Sequence, residues 1–226
     1  MKVRTNVVKM LVAAGTLAVA TGASAQSAGQ FTVSVGANML KPHVESGAIS
    51  APALPNSLGT IDKDTQPVAV ITYGLTDNIS VETAIGTPYK HKIYGAGSIS
   101  GTGQLGTAEA MPAIALLQYR FFEPTAMIRP FVGLGVTYAM FRKETGSFAM
   151  TALTNPGGGT PTTFSIDNKW TYSGQVGLQF NVNEKWFANA AFIKTKLSTD
   201  VHFSTGQRQH MRLDPDSYIL SVGYKF

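Results

Sequence analysis

Hydrophobic and polar residues alternate along the last ten residues of the chain, 217–226. One parity is apolar and aromatic: Tyr218, Leu220, Val222, Tyr224 and Phe226. The other parity is mostly small or polar. Because successive strand residues point to opposite faces, the pattern predicts a β-strand with an apolar outer face. A soluble edge strand can also alternate. An aromatic face that runs to Phe226 favours a strand in lipid, with its aromatic residues at the membrane interface.

The same alternation recurs along the chain and predicts about eight strands, which cover residues 31–42, 65–74, 79–89, 109–122, 129–143, 169–180, 186–201 and 217–226. Long segments rich in Gly, Ser, Thr or Pro separate some of them, at 45–63, 95–106, 144–167 and 203–209. Short turns at 76–78, 123–125 and 181–185 separate the others. Alternating long and short connections are typical of outer-membrane barrels. The prediction is an all-β fold: an eight-stranded antiparallel transmembrane β-barrel with long extracellular loops and short periplasmic turns.

The first 25 residues have the pattern of a cleaved secretory signal peptide. Lys2, Arg4 and Lys9 precede or flank the apolar run at 10–20, and Ala23-Ser24-Ala25 supplies a small-x-small cleavage site. The run is shorter than the roughly 20 apolar residues of a spanning helix. We therefore expect two segments, a signal peptide at 1–25 and an outer-membrane barrel at 26–226 of a Gram-negative cell.

Composition agrees with a lipid-facing barrel. Charged residues make up 14% of the 226 residues, against roughly 25% in ordinary soluble domains. Without the basic residues of the signal peptide the net charge falls from +5 to +2, which gives no argument for nucleic-acid binding. The chain has no Cys, so it has neither a disulfide framework nor a thiol nucleophile.

Several motifs resemble one family of outer-membrane proteins. They are TDNI at 76–79, VE at 81–82, TPYKHKI at 87–93, RPFVGLGVTY at 129–138 and RLDP at 212–215. These motifs, in this order and spacing, are similar to those of the OmpW family. The resemblance implies an eight-stranded barrel with an unusually apolar interior. It also implies a role in passing small hydrophobic molecules, with some members serving as phage or bacteriocin receptors.

The inward parity of the predicted strands supplies candidate channel-lining residues: Ala84, Ile114, Leu116 and Ile193. An eight-stranded barrel is wide enough only for side chains or one small ligand. The resemblance implies an apolar constriction at the positions of Ala84 and Ile193. Both are smaller than the large residues of other members, which favours a roomier pocket over a tight gate. Simple packing of the barrel core is the alternative for all four.

Glu82 and Arg120 have inward parity on neighbouring strands, close to the short turns. A charge inside a narrow barrel needs a partner. We therefore predict that the two side chains pair and close the periplasmic end. A hydrophobic solute would then leave sideways through the barrel wall into the lipid.

The predicted function is an outer-membrane channel for small hydrophobic molecules; the alternative is a structural or receptor barrel with a sealed interior. An enzyme would need a nucleophile–base pair such as His91 with Ser98 or Ser100, or His202 with Ser204, and none has a supporting acid at recognisable spacing. We expect no enzyme activity, no cofactor and no metal site. The expected partners are outer-membrane lipid, lipopolysaccharide and hydrophobic solutes, with phage or bacteriocin in the receptor alternative and no nucleic acid.

Overall fold

A computed structural model describes residues 28–226; the predicted signal peptide and its cleavage site lie outside them. The strands are β1 Phe31–Lys41, β2 Glu45–Ser46, β3 Ser57–Ile61, β4 Asp64–Gly74, β5 Ile79–Gly86, β6 Tyr89–Gly97, β7 Gln104–Arg120, β8 Ile128–Gly146, β9 Phe164–Ile166, β10 Lys169–Asn181, β11 Trp186–Thr195, β12 Ser198–Phe203, β13 Arg208–Arg212 and β14 Asp216–Lys225, and helix α1 is Phe148–Thr154. No helix among the described residues is long and apolar enough to cross a membrane.

Eight antiparallel strands close into a barrel, which confirms the predicted fold class. Following the hydrogen bonds, the order is β7, β5, β4, β1, β14, β11, β10 and β8, and β8 pairs back with β7. The pairing of β1 with β14 joins the two ends of the chain and runs from Thr32 opposite Lys225 to Lys41 opposite Asp216. Closure gives each of the eight barrel strands a partner on both sides, as a structure in hydrocarbon requires.

The outward side chains form an apolar band. Leu134 is 74% exposed and Leu220 is 68% exposed, and they are two of many exposed apolar side chains on the barrel strands. A contiguous apolar surface of this kind is typical of a barrel that faces lipid. Aromatic pairs border the band. The ring centroids of Trp186 and Tyr224 lie 5.2 Å apart near the short turns. Those of Tyr138 and Trp170 lie 4.8 Å apart at the other end of the barrel. The band therefore has the aromatic girdles of a transmembrane barrel.

The long connections are more ordered than the sequence indicated. Strands β7 and β8 continue past the aromatic girdle. There β6 pairs with the edge of β7 that faces away from β8, and β3 pairs with β6. A separate four-stranded sheet combines β2, β13, β12 and β9. These strands, together with α1, take up part of each predicted loop. They surround a buried apolar cluster that includes Ile99, Met150, Phe203 and Met211.

Two predicted strands are each divided in the structure. The predicted strand 79–89 ends as β5 at Gly86 and resumes as β6 at Tyr89. The predicted strand 186–201 is interrupted after Thr195, where the backbone N–H of Leu197 donates to Asp214 Oδ1 at 2.9 Å instead of to a ladder partner. At the first break the inward face changes from even-numbered residues, such as Glu82, to odd-numbered residues, such as Tyr89. In the sequence, however, apolar residues stay on odd positions through both breaks, so the hydrophobic pattern alone could not locate them.

Inward glycines make room for large side chains inside the narrow barrel. A Cβ on Gly177 would lie 2.2 Å from Phe131 Cζ. Phe131 is almost fully buried, and the Arg120 guanidinium lies 4.9 Å from its ring centroid. The ring therefore cannot move aside without disturbing that contact.

We expect Gly177→Ala to destabilise the barrel by about 1–3 kcal/mol through overpacking. Urea unfolding in detergent micelles, followed by the heat-dependent shift on electrophoresis, measures the effect. Gly174→Ala is the matched control on the same strand, because its Cβ would lie 3.7 Å from the nearest atom. Equal stability of the two variants would contradict this account.

Candidate functional site

An apolar cavity of about 330 Å³ occupies the barrel from its middle to the long-strand end. Its lower part is lined by side chains of the barrel strands, among them Ala84, Ile114, Ile193 and Ile219. Its upper part is lined by the extension beyond the girdle, including Met150 of α1 and Met211 of β13. The extension thus contributes to the site as much as the barrel does.

The cavity reaches the barrel wall at a gap in the sheet. Strand β5 pairs with β7 as far as Ala84 opposite Ile114. Pairing resumes with β6, at Tyr89 opposite Ala110. Between these points four residues, 85–88, face three residues, 111–113, and no ladder pairs join them. We call this gap the lateral opening.

Two prolines keep the lateral opening unpaired. Pro88 and Pro112 stand on opposite sides of it, and neither has a backbone N–H to donate. The cavity lining includes Ile85, Thr87 and Pro112 from the rim of the opening. At the lower rim the Thr83 hydroxyl donates to the Ile114 carbonyl at 2.7 Å. That bond satisfies an acceptor where the ladder stops, as low-dielectric surroundings require.

A hydrogen-bonded layer of polar side chains lies between the cavity and the short turns. We call this layer the floor. Arg120 is 3% exposed and donates three hydrogen bonds within it. Its Nη1 donates to Gln179 Oε1 at 2.6 Å, its Nη2 to Gln118 Oε1 at 2.8 Å and its Nε to Ser80 Oγ at 3.0 Å. The guanidinium therefore joins β5, β7 and β10 across the barrel.

Glu82 supplies the negative charge of the floor. Gln175 Nε2 donates to its Oε1 at 2.8 Å, and the Thr72 hydroxyl donates to its Oε2 at 3.2 Å. Its Oε2 lies 3.9 Å from Arg120 Nη2, so the predicted pair is close, although both side chains have nearer partners. In a buried charge pair, hydrogen bonds to the remaining lone pairs and protons help to offset the cost of desolvation.

The glutamines of the floor were missed by the sequence analysis. Gln118 Nε2 donates to Gln175 Oε1 at 2.6 Å. The two side chains meet across Gly133, whose Cβ, if present, would lie 3.0 Å from Gln175 Oε1. Inward parity alone could have predicted this polar layer, because it places three glutamines, 118, 175 and 179, on the inner face. It also places an inward glycine, Gly133, on the strand between β7 and β10.

The predicted interior residues gather in one part of the barrel. Leu116 and Ile193 belong to a buried apolar cluster, against which Ala84 and Ile114 pack. Ala84, Ile114 and Ile193 line the cavity, whereas Leu116 lies below it, toward the floor. Ala84, Ile114 and Ile193 therefore both line the cavity and pack in the core, whereas Leu116 only packs in the core.

The His–Ser pairs considered for catalysis do not form among the described residues. His91 Nδ1 contacts the Asp62 carbonyl at 2.7 Å, and Ser98 Oγ donates to the Pro55 carbonyl. His202 Nε2 lies 3.4 Å from Asp167 Oδ1, and Ser204 Oγ accepts from the Thr163 N–H. These four side chains therefore contact groups other than their predicted catalytic partners, and His91 forms no hydrogen bond with Ser100 in the described part of the chain.

Comparison with known proteins decides the family. The model of the OmpW family matches residues 27–226. The chain belongs to the OmpW family. It is 30% identical to outer membrane protein W of Escherichia coli K12, over 96% of this chain and 99% of that protein. Together with the barrel, this relationship makes the chain an outer-membrane protein.

Solved structures agree with this assignment. The crystal structure of OprG from Pseudomonas aeruginosa superposes with a TM-score of 0.79 at 25% identity, over 89% of this chain and 97% of that one. The solid-state NMR structure of AlkL in DMPC lipid bilayers gives a TM-score of 0.66 at 26% identity, over 93% and 96% of the two chains. The matching structures are membrane-embedded barrels, so the apolar band of this OmpW-family member faces lipid.

We expect Arg120→Ala to destabilise the barrel by about 3–5 kcal/mol, because it leaves the buried Glu82 carboxylate without a cation. Unfolding in micelles measures the loss, and planar-bilayer recording tests whether the thinned floor then conducts ions. Arg142→Ala is the control: this half-exposed arginine pairs with Glu109 at 3.2 Å, and such pairs contribute about 0–1 kcal/mol. Native stability in Arg120→Ala would refute a structural role for the floor.

Proposed function

We propose that this OmpW-family protein passes small hydrophobic molecules from the outside into the outer membrane. The solute enters the cavity from the long-strand end and leaves through the lateral opening into the lipid. The observation that carries the proposal is the continuity of an apolar cavity with an unpaired stretch of the barrel wall, above a floor of charged and amide side chains.

The lining favours apolar cargo. Near the middle of the barrel the cavity is bordered by Ala84, Ile114, Ile193 and Ile219, which offer a solute dispersion contacts and no hydrogen bonds. A hydrophilic solute would lose its hydration there without replacement partners, at a cost of about 2–7 kcal/mol for each unpaired polar group. A hydrophobic solute gains from the same surface.

The floor disfavours a straight path. To reach the periplasm a solute would have to separate Arg120 from its three hydrogen-bond partners and Glu82 from its two. Sideways exit breaks no ladder hydrogen bond, because none spans residues 85–88 and 111–113. Exit into lipid also keeps a hydrophobic solute out of water. The energetics therefore support a lateral route.

We expect Ile193→Arg to reduce uptake of radiolabelled naphthalene to the level of cells that lack the protein. Ile193 is buried against the cavity, and a charge at that position makes an apolar passage unfavourable. Uptake by whole cells is the measurement, with the electrophoretic heat shift as evidence of a folded barrel.

Ser100→Arg is the matched control, because it adds the same charge at an exposed turn outside the cavity lining. Native uptake by a folded Ile193→Arg barrel would show that the interior is not the path. A receptor or structural barrel with a sealed interior would then be the better account.

A disulfide across the lateral opening tests the exit. The chain has no native Cys, so Ile85→Cys combined with Ala113→Cys places the only thiols at the next positions beyond the Ala84–Ile114 pair. We expect oxidation to reduce naphthalene uptake and reduction to restore it, because the bridge ties the two sides of the opening.

Ala37→Cys with Leu220→Cys is the control pair, directly opposite each other on β1 and β14 and away from the opening. We expect its oxidation to leave uptake unchanged. Equal uptake by the oxidised and reduced forms of the opening pair, with the disulfide verified by mass spectrometry, would exclude exit through this opening.

A further inference from the structure

One wall of the apolar cavity carries three buried polar side chains: Asn38 on β1 and Tyr89 and His91 on β6. Tyr89 directly follows Pro88 at the rim of the lateral opening. The rings of Tyr89 and His91 are stacked, with centroids 6.3 Å apart and planes inclined at 20°. The polar groups of this wall therefore lie on the proposed route, next to its exit.

His91 presents a hydrogen-bond acceptor. Its Nδ1 lies 2.7 Å from the Asp62 carbonyl oxygen. A carbonyl oxygen can only accept, so Nδ1 carries the proton and Nε2 carries a free lone pair. Burial lowers the pKa of His91, which keeps the ring neutral at pH 7. Within residues 28–226 no hydrogen bond to Nε2 forms.

Tyr89 presents a donor. Its oxygen accepts from Asn38 Nδ2 at 2.8 Å, the one hydrogen bond of this hydroxyl among the described residues. Burial raises the pKa of Tyr89 to about 12, so the hydroxyl keeps its proton and can donate it. Asn38 is 7% exposed, and its Oδ1 has no partner in the described part of the chain. Unpaired groups so deeply buried are uncommon in folded proteins.

Four threonines of the cavity lining already have hydrogen-bond partners. The hydroxyls of Thr137 and Thr195 both bond to Ser173 at 2.7 Å. The Thr154 hydroxyl donates to the Met150 carbonyl, and the Thr199 hydroxyl donates to the Asp167 carbonyl. Tyr89, His91 and Asn38 thus carry a spare donor and spare acceptors next to the opening, whereas the hydroxyls of these four threonines are already bonded.

We propose that the cavity selects hydrophobic molecules that carry one hydroxyl group, which accepts from Tyr89 and donates to His91. The inference rests on the proposed function, of which it names the preferred cargo. A hydroxyl is both donor and acceptor, so it matches both groups at once. An ether or ketone oxygen can use only the Tyr89 donor. A plain hydrocarbon leaves both groups unpaired.

Three ligands of matched shape separate these classes: naphthalene, 2-methoxynaphthalene and 2-naphthol. Binding is measured by ligand fluorescence with the purified full-length protein in lipid nanodiscs at pH 7, after subtraction of the signal from empty nanodiscs. Each dissociation constant is expressed relative to that of the native protein for the same ligand, so the different hydrophobicities of the ligands cancel.

We expect Tyr89→Phe to weaken 2-naphthol and 2-methoxynaphthalene binding by about two- to tenfold, the effect of one hydrogen bond. We expect His91→Leu to weaken 2-naphthol by a similar factor and 2-methoxynaphthalene by less than about twofold, because an ether has no proton to donate. Naphthalene binding should change little in either variant. Tyr94→Phe is the matched control, since it removes a hydroxyl from the same strand outside the cavity lining.

Tyr89→Phe keeps the ring and the shape of the site, so it decides the test even if His91→Leu folds poorly. Equal effects on all three ligands, no effect of Tyr89→Phe on 2-naphthol, or no binding of any ligand would each overturn the inference. The proposed passage of hydrophobic molecules is tested separately: unchanged naphthalene uptake by the Ile193→Arg variant would contradict it. A protein that takes up naphthalene without a hydroxyl preference would keep its proposed function and lose only this selectivity.

Discussion

The requirement that every backbone polar group in hydrocarbon find a partner governs this structure. Closure of β1 against β14 satisfies that requirement around the barrel. The exception is the lateral opening, where Pro88 and Pro112 remove two of the donors and the Thr83 hydroxyl satisfies the Ile114 carbonyl. The proposed lateral route would cross the barrel wall at this interruption.

Closure into only eight strands also dictates the interior. A barrel of this size has room for side chains or one small molecule, so small and large residues must alternate across it. Gly177 accommodates Phe131, and Gly133 allows Gln118 and Gln175 to meet. The same narrowness forces Glu82 and Arg120 into one shared network. The apolar cavity thus lies next to the polar floor inside one narrow barrel, with the floor on the side of the short turns.

The extension beyond the aromatic girdle gives the cavity its depth. Strand β6 carries Tyr89 and His91 to the wall of the cavity, while α1 and β13 supply Met150 and Met211 on other sides. Apolar passage and hydroxyl recognition would then use different parts of one space. The barrel residues supply the dispersion surface, and the β6 residues supply the few directional contacts that fix an orientation.

The sequence by itself determined the barrel, because alternation with a period of two follows directly from strand geometry and lipid on one side. It also predicted inward positions for Glu82 and Arg120 and for the apolar residues Ala84, Ile114, Leu116 and Ile193. Tertiary structure decided the rest. Between Gly86 and Tyr89 the inward face changes from even-numbered to odd-numbered residues. Apolar residues nevertheless stay on odd positions in the sequence, so only the pairing with β7 reveals the opening. The polar wall of the cavity joins Asn38 to Tyr89, 51 residues later in the chain, and contacts between such distant residues arise only when the barrel closes.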